Sequence, residues 1–441
     1  MEMTNKQSRR KRSGFVLPLT VAMIVLLTIM GLSLQRLGSS ARMQAVFATA
    51  QITATAAADA GFTKAMYEMN KNLDVKPWDF SDVTDEVDNM ALTNANADYT
   101  YRIEEIVRDS EYKITSIGQS GWAAKTVSAT VKVQGGFDYA IFAQGYAIPK
   151  RPKAPKQNPR PPKPLKKGGK LEIKGYNVDS YSSDPSQAYS GTIEIRTNND
   201  RKRSVKFRED VVINADIIVG PGGDPNKVIE MKHGAEVTGD AYAATERLEI
   251  LSVTVPGNLD NQPLKEYEYK DNAPISGVNK YIELKIPNGK VQEINGNCVI
   301  YVVGNVKVED NAQLILTENA SLTLYVGGEK FEVKKKSGGL INETEDPKKL
   351  LIYGLDACRK VKIEKETVGD FYGAVYAPFA KVEMKTNGDL YGAFVGWDVK
   401  LKKKKGGEHG TFYFDRSLRI DNVAATDALA VRFVVKGWRE E

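Results

Sequence analysis

The sequence predicts an α+β protein: a long N-terminal helix bearing a small antiparallel β-meander, followed by an all-β domain. The favoured form of that domain is a right-handed parallel β-helix, with a β-sandwich as the competing architecture. Three observations lead there. A charge-free apolar run over residues 15–34 continues into helix-favouring sequence as far as residue 70. Three segments of period-2 alternation follow between residues 99 and 133. From residue 171 onward, short β-rich runs alternate with turn residues and helical periodicity is almost absent.

At 441 residues the chain has room for two or three cores, and 41% hydrophobic with 27% charged residues is the balance of folded protein. The formal charge of +6 is local: residues 149–170 carry nine Lys/Arg and no acid, which leaves the remainder at −3. Two cysteines, Cys298 and Cys358, exclude a disulfide-rich scaffold and a cysteine metal cluster. They either sit as buried thiols in strands or, in an exported domain, form one bridge. The two histidines, His233 and His409, read as loop or surface residues.

The N-terminus orders the chain. Residues 1–13 are polar and basic, with Arg9, Arg10, Lys11 and Arg12 in one run. Residues 15–34 then hold no charge, and a helix of that length matches a bilayer core of ~30 Å. The cations in front predict that the first residues stay in the cytoplasm and that all after residue 34 is exported. A cleaved signal peptide has an apolar core of only ~7–15 residues and ends in a turn. Here no proline and no glycine interrupts residues 41–60. A rod of about 55 residues, ~80 Å long, exceeds what anchoring needs and suits packing in a filament.

Arg12-Ser13-Gly14-Phe15, followed at once by the apolar helix, resembles a prepilin leader. With Gly31 and the later Ala56-Ala57-Ala58-Asp59-Ala60-Gly61, the stretch from Gly14 to Asn70 is similar to PilX-type minor pilins and pseudopilins. The resemblance implies cleavage by prepilin peptidase between Gly14 and Phe15 and methylation of Phe15. It implies other pilin or pseudopilin subunits as partners, and a path from the inner membrane to a type IV pilus or a type II secretion-like filament. Asp59 stands where those relatives often carry glutamate. Leu19 replaces the acid that major pilins hold at the fifth mature position, as in some minor and tip subunits. Pro18 is tolerated because the first helical turn has no use for its missing N–H.

The predicted domains are a leader (1–14), the helix (15–70), a meander head (71–148), a basic proline-rich spacer (149–170) and a surface domain (171–441). Residues 78–97 read as a loop; strands are expected at 99–107, 111–118 and 125–133. The spacer has seven prolines, which favours a stiff, extended hinge. Its charge would suit anionic lipid, cell-wall polymer or nucleic acid, but it holds no aromatic on which bases could stack, so a nucleic-acid partner is not expected.

In the surface domain, strands are expected at 211–219, 228–231, 247–255, 281–286, 298–303, 313–316, 321–326, 351–353 and 361–363. Residues 371–378 and 390–396 nearly repeat each other 19 positions apart, about one coil. Those repeats, Tyr413-Phe414-Asp415-Arg416-Ser417-Leu418 and Asp179-Ser180-Tyr181-Ser182-Ser183 resemble a β-helical domain found behind PilX-like N-termini. Tyr413-Phe414 replaces the usual His-Tyr of that domain, so no histidine role carries over. The chain lacks a nucleophile elbow, P-loop, dinucleotide fingerprint and zinc spacing. Gly220-Pro221-Gly222-Gly223 is a turn, and Lys402–Lys405 is expected as an exposed turn. The carboxylates Glu230, Glu236 and Asp240, and Asp370, Glu383 and Asp389, would serve a polysaccharide-acting enzyme only if they converged. No catalytic residue, cofactor or metal is expected. The expected role is structural display toward an unknown surface ligand. The alternative is an unprocessed, membrane-anchored envelope protein.

Overall fold

The computed structural model describes residues 16–73, 80–107, 111–145, 169–183, 192–248, 250, 252–271, 273–334, 339–364, 369–403, 409–419 and 432–440. The expected leader, Gly14 and Phe15, and nearly all of the basic spacer lie outside these residues. The chain is α+β and divides into two compact units: residues 1–74, 79–132 and 435–441, and residues 75–78 with 133–434.

The first unit is built on one helix, α1 (Val16–Asn72), 57 residues and so ~86 Å long. Its distal half packs on an antiparallel sheet of β1 (Glu86–Ala91), β2 (Asp98–Val107), β3 (Glu111–Ser120), β4 (Ala123–Gln134) and the C-terminal strand Arg432–Glu440, in that order. Ala54, Ala58, Phe62, Ala65 and Met69, spaced by three or four residues, form the buried stripe of α1. The sheet answers with every second residue of its strands: Tyr99, Tyr101 and Ile103 on β2, and Tyr112, Ile114 and Ser116 on β3. Small residues bring the two layers very close. A Cβ on Gly118 would lie 2.0 Å from the Ala54 carbonyl oxygen, and one on Gly61 would lie 2.3 Å from Ser116 Oγ.

Two expectations change here. The segment read as a loop contains a 3₁₀ turn (Phe80–Asp82) and β1, which pairs antiparallel with β2. β1 is an edge strand without a buried face, so it carries none of the alternation that marks strands in sequence. The surface domain also does not extend to residue 441, because Arg432–Glu440 returns to the first sheet beside β4.

In the second unit the strands form three ladders with parallel pairing. One ladder reads, in space, 229–232, 205–208, 171–174, 399–402, 381–386, 360–364, 330–333, 306–308 and 284–286. A second includes 236–237, 212–213, 176–181, 410–415, 390–392 and 371–373. The third runs from 241–243 through 216–219, 194–197, 141–143, 394–396, 374–376, 350–354, 321–326 and 297–302 to 277–281. The sequence distance between paired strands varies, as the pairings of Phe371 with Leu390, Leu322 with Leu350, and Leu171 with Val205 show. The near-repeats at 371–378 and 390–396 stand in direct register, Tyr372 on Tyr391 and Gly373 on Gly392. Each strand offers only a few inward side chains, so it is pairing with its neighbours in the ladder that builds a continuous apolar row. Val205, Leu171, Val399, Val382, Val361, Phe331 and Val306 form one such inward row, each at most 1% exposed.

The order of the strands in these ladders is permuted relative to the sequence. Residues 141–243 build one block and 275–415 the other, and they meet at a seam where Ile141 pairs with Phe394, Leu171 with Val399, and Val178 with Phe412. Ile141–Ala143 is thus a ladder strand, not part of the meander head as expected. The connection between the blocks contains the predicted strand 247–255, whose described residues form no strand. Its apolar residues Leu248, Ile250, Val253 and Val255 do pack on the core. The Asn198 side chain replaces a neighbouring strand: its Nδ2 donates to the Leu248 carbonyl (2.7 Å) and its Oδ1 accepts from the Leu248 N–H (2.9 Å).

Candidate functional site

The proximal half of α1 is the first candidate. Every described side chain from Leu17 to Leu37 is exposed, among them Ile24 (62%), Leu34 (67%) and Leu37 (67%). An uncovered apolar surface of that length needs a non-aqueous neighbour. The helix is long and apolar enough to cross a membrane. Its hydroxyls are arranged for such surroundings. Thr20 donates to the Leu17 carbonyl (2.9 Å), Thr28 to Ile24 (2.8 Å) and Ser33 to Ile29 (2.8 Å), so none of the three needs water. Gly31 and Gly38 have nothing within 4 Å of an added Cβ. Within this chain they only weaken the helix; they leave room for another backbone to approach. Leu19 is exposed at 59%.

The outer face of the first ladder is the second candidate. One registered row reads Glu230, Lys206, Glu172, Lys400, Glu383, Lys362, Glu332, Lys307, alternating in sign at every step until Lys285 ends it. Opposite charges directly across a sheet attract, and alternation satisfies each side chain from two sides. Glu230 is the most enclosed, with Lys206 at 2.8 Å, Arg203 at 3.3 Å, Lys232 at 3.4 Å and Arg208 at 3.7 Å. The Lys206 hydrogen bond, followed by the neighbouring charges, holds its carboxyl down to about 2. Glu309 is likewise held at about 2 by hydrogen bonds from Lys307 (2.7 Å) and Lys334.

These depressed values fix a sign. A carboxylate with a folded pKa below its unfolded value of ~4.3 stabilises the fold above that unfolded value, and the contribution disappears as pH falls toward 2. The contribution of these two carboxylates to the stability of the second unit should therefore be lost between about pH 4.3 and 2. Glu309→Gln should make that loss on acidification smaller, as followed by amide exchange of residues 306–308 and 330–333 across pH, corrected for the intrinsic exchange rate.

The carboxylates singled out for catalysis do not converge. Glu230 and Glu383 belong to the alternating row. Asp370 Oδ1 accepts the Asp389 N–H (2.9 Å), and Asp389 Oδ1 accepts the Thr411 N–H (2.8 Å), so both tie one strand's start to the next. Glu236 pairs across the second ladder with Val212, and the Asp240 N–H donates to Asp216 (2.9 Å). Cys298 and Cys358 are separate buried thiols, each pushed up to about 12 by burial. The two thiols are free and stand apart in the register. Cys298 stands in line with Leu322 and Leu350, whereas Cys358 lies beside Gly354, which is in line with Val326 and Val302, so the two thiols differ by two strands and by four residues along the strand. Lys402 and Lys403 belong to a strand, Leu390–Lys403, instead of the expected turn, and Lys404 and Lys405 lie outside the described residues.

The two motifs quoted for the β-domain resemblance meet at the seam. Asp179, Ser180 and Tyr181 pair with Tyr413, Phe414 and Asp415. The fully buried Asp415 carboxylate accepts from Ser183 Oγ (2.6 Å), Ser183 N–H (3.1 Å), Ser417 N–H (3.0 Å) and Ser417 Oγ (2.7 Å). Nothing local in sequence announces the Ser183 contact, because its two partners are 232 positions apart.

A family model described as a domain of unknown function, DUF7305, matches residues 276–421, about a third of the chain. No curated protein matches the sequence. Among solved structures, the crystal structure of the competence-associated pilin ComZ from Thermus thermophilus aligns with 89% of this chain and 98% of that one, at 12% identity. The TM-score is 0.24, a level that does not establish a common fold.

Proposed function

We propose that the chain is a minor pilin or pseudopilin-like structural subunit of PilX type, without catalytic turnover. Prepilin peptidase cuts it between Gly14 and Phe15, Phe15 is methylated, and α1 holds it in the inner membrane. From there the helix packs with other pilin or pseudopilin subunits in, or at the tip of, a type IV pilus or secretion filament. The three ladders constitute a right-handed parallel β-helix, displayed outside the cell for adhesion or partner binding.

The observation that carries this reading is the division of labour along α1. Its distal half is buried by its own sheet through a stripe of small residues, while its proximal half leaves a full apolar circumference uncovered. A plain anchor needs the second property only. A subunit whose helix leaves the membrane and enters a helical bundle needs both, with Gly31 and Gly38 giving room for close neighbours.

The test is expression with and without prepilin peptidase, followed by intact mass and N-terminal sequencing. With the peptidase, the product should begin at a methylated Phe15; Gly14→Val should abolish the conversion. An intact N-terminus under both conditions would instead describe a permanently anchored envelope protein.

A further inference from the structure

Two residues along from the alternating row, the same strands carry a row of one sign. Lys232 pairs with Arg208, Arg208 with Lys174, Lys174 with Lys402, and Lys402 with Lys385. Five cations thus stand in register at the sheet spacing of ~4.8 Å, a line of ~19 Å, before Glu364 ends it. Like charges placed directly opposite are unfavourable, and the neighbouring row shows how this sheet otherwise arranges its charges. The side chains are accessible, with exposures of 48% for Lys232, 32% for Arg208, 27% for Lys174 and 30% for Lys402. Four of the five make ion pairs, Lys232 and Arg208 with Glu230 (3.4 and 3.7 Å), Lys174 with Glu209 (2.7 Å) and Lys402 with Glu172 (3.6 Å), but Glu230 and Glu172 are each shared among several cations and Lys385 has no ion pair among the described residues. On the other flank, Lys330, Lys360 and Lys381 line up before Asp398. The three registered rows together hold thirteen cations against six carboxylates, a surplus of seven on one face, although the chain outside residues 149–170 has a formal charge of −3.

We propose that this face of the displayed domain binds a linear anionic glycan of uronic-acid type, laid along the line of Lys232, Arg208, Lys174, Lys402 and Lys385. It rests on the reading above only for its setting outside the cell. The argument for this polymer is geometric. Cation spacing along the row is close to the length of one sugar ring, so a chain with one carboxylate per sugar meets one cation per repeat. A duplex nucleic acid winds its phosphates away from a flat face, and these rows hold no aromatic to stack on a base. Only one of the five cations is arginine, so the face is a set of point charges without the planar forks that phosphate recognition favours.

The experiment uses the full-length chain in non-ionic detergent, with fluorescent polyuronate as the probe and binding read by anisotropy. Wild type should bind, with affinity falling steeply as salt rises. Lys385→Glu with Lys402→Glu should weaken binding at least about ten-fold. Lys265→Glu with Lys270→Glu, exposed residues outside these rows that make the same change in net charge, should leave it within about two-fold. Absence of polyuronate binding, equal losses in both double variants, or displacement by duplex DNA in preference to polyuronate would each overturn the proposal. Melts of both variants by circular dichroism separate lost binding from lost fold. Peptidase processing of α1 is scored separately, so either reading can fail alone.

Discussion

Gly118→Val is expected to lift the meander off α1, with a loss of about 3 kcal/mol or more in the first unit. The new Cβ would stand 2.0 Å from the Ala54 carbonyl oxygen, 2.3 Å from the Ala58 nitrogen and 2.9 Å from Ala57 Cβ. Two of these are helix backbone, which has no rotamer with which to yield. Gly118→Ala already places that atom and should cost about 1–3 kcal/mol. Gly38→Ala separates steric clash from helix propensity. Nothing lies within 4 Å of its new Cβ, so it should stabilise the isolated chain by about 0.5–1 kcal/mol. The readout is amide exchange of residues 111–120, since a melt of a two-unit chain mixes transitions. Protection there should fall about a hundred-fold in Gly118→Val while protection in the 371–403 strands stays unchanged. Full protection of β3 in this variant would refute the close helix–sheet contact.

That contact gives the motif Ala56-Ala57-Ala58-Asp59-Ala60-Gly61 a physical meaning that sequence alone could not. Its small residues read as helix-favouring and as a resemblance to pilins, yet which face they occupy depends on Gly118, which arrives only with β3. Local patterns were legible wherever burial imposed a period. The apolar run marked α1, alternation marked β2, β3 and β4, and the near-repeats at 371 and 390 marked two strands that pair in register. What escaped had no period or no local partner. β1 is an edge strand with solvent on both sides. Leu248 and Ile250 alternate like a strand, but Leu248 pairs with the Asn198 amide. Arg432–Glu440 belongs to a sheet whose other strands all precede the second unit's ladders in sequence. The five-cation line escaped for the same reason, since Lys174, Arg208, Lys232, Lys385 and Lys402 become neighbours only through the seam and the ladder register.

The seam itself is the place where one side chain should matter most in the second unit. Asp415→Ala removes a buried carboxylate that accepts four hydrogen bonds, two from backbone N–H groups and two from hydroxyls. Each donor left without an acceptor costs about 1–3 kcal/mol when buried, and partial access to water at Ser183 reduces the total to about 3–5 kcal/mol. The loss falls where the 141–243 block joins the 275–415 block, so amide exchange should rise at 176–181 and 410–415 before it rises at 321–326. Asp415→Asn keeps one acceptor oxygen and should lose roughly half as much. Ser183→Ala removes a single hydroxyl and should cost about 1 kcal/mol. Asp370→Ala is the contrast, because that carboxylate is exposed and accepts one recorded N–H, so water can replace it and the change should stay within about 1 kcal/mol. Equal, small effects from Asp415→Ala and Asp370→Ala would mean that stacking of inward side chains alone holds the two blocks together. The ordering predicted here instead follows from burial: the same carboxylate chemistry is worth most where no solvent can take its place.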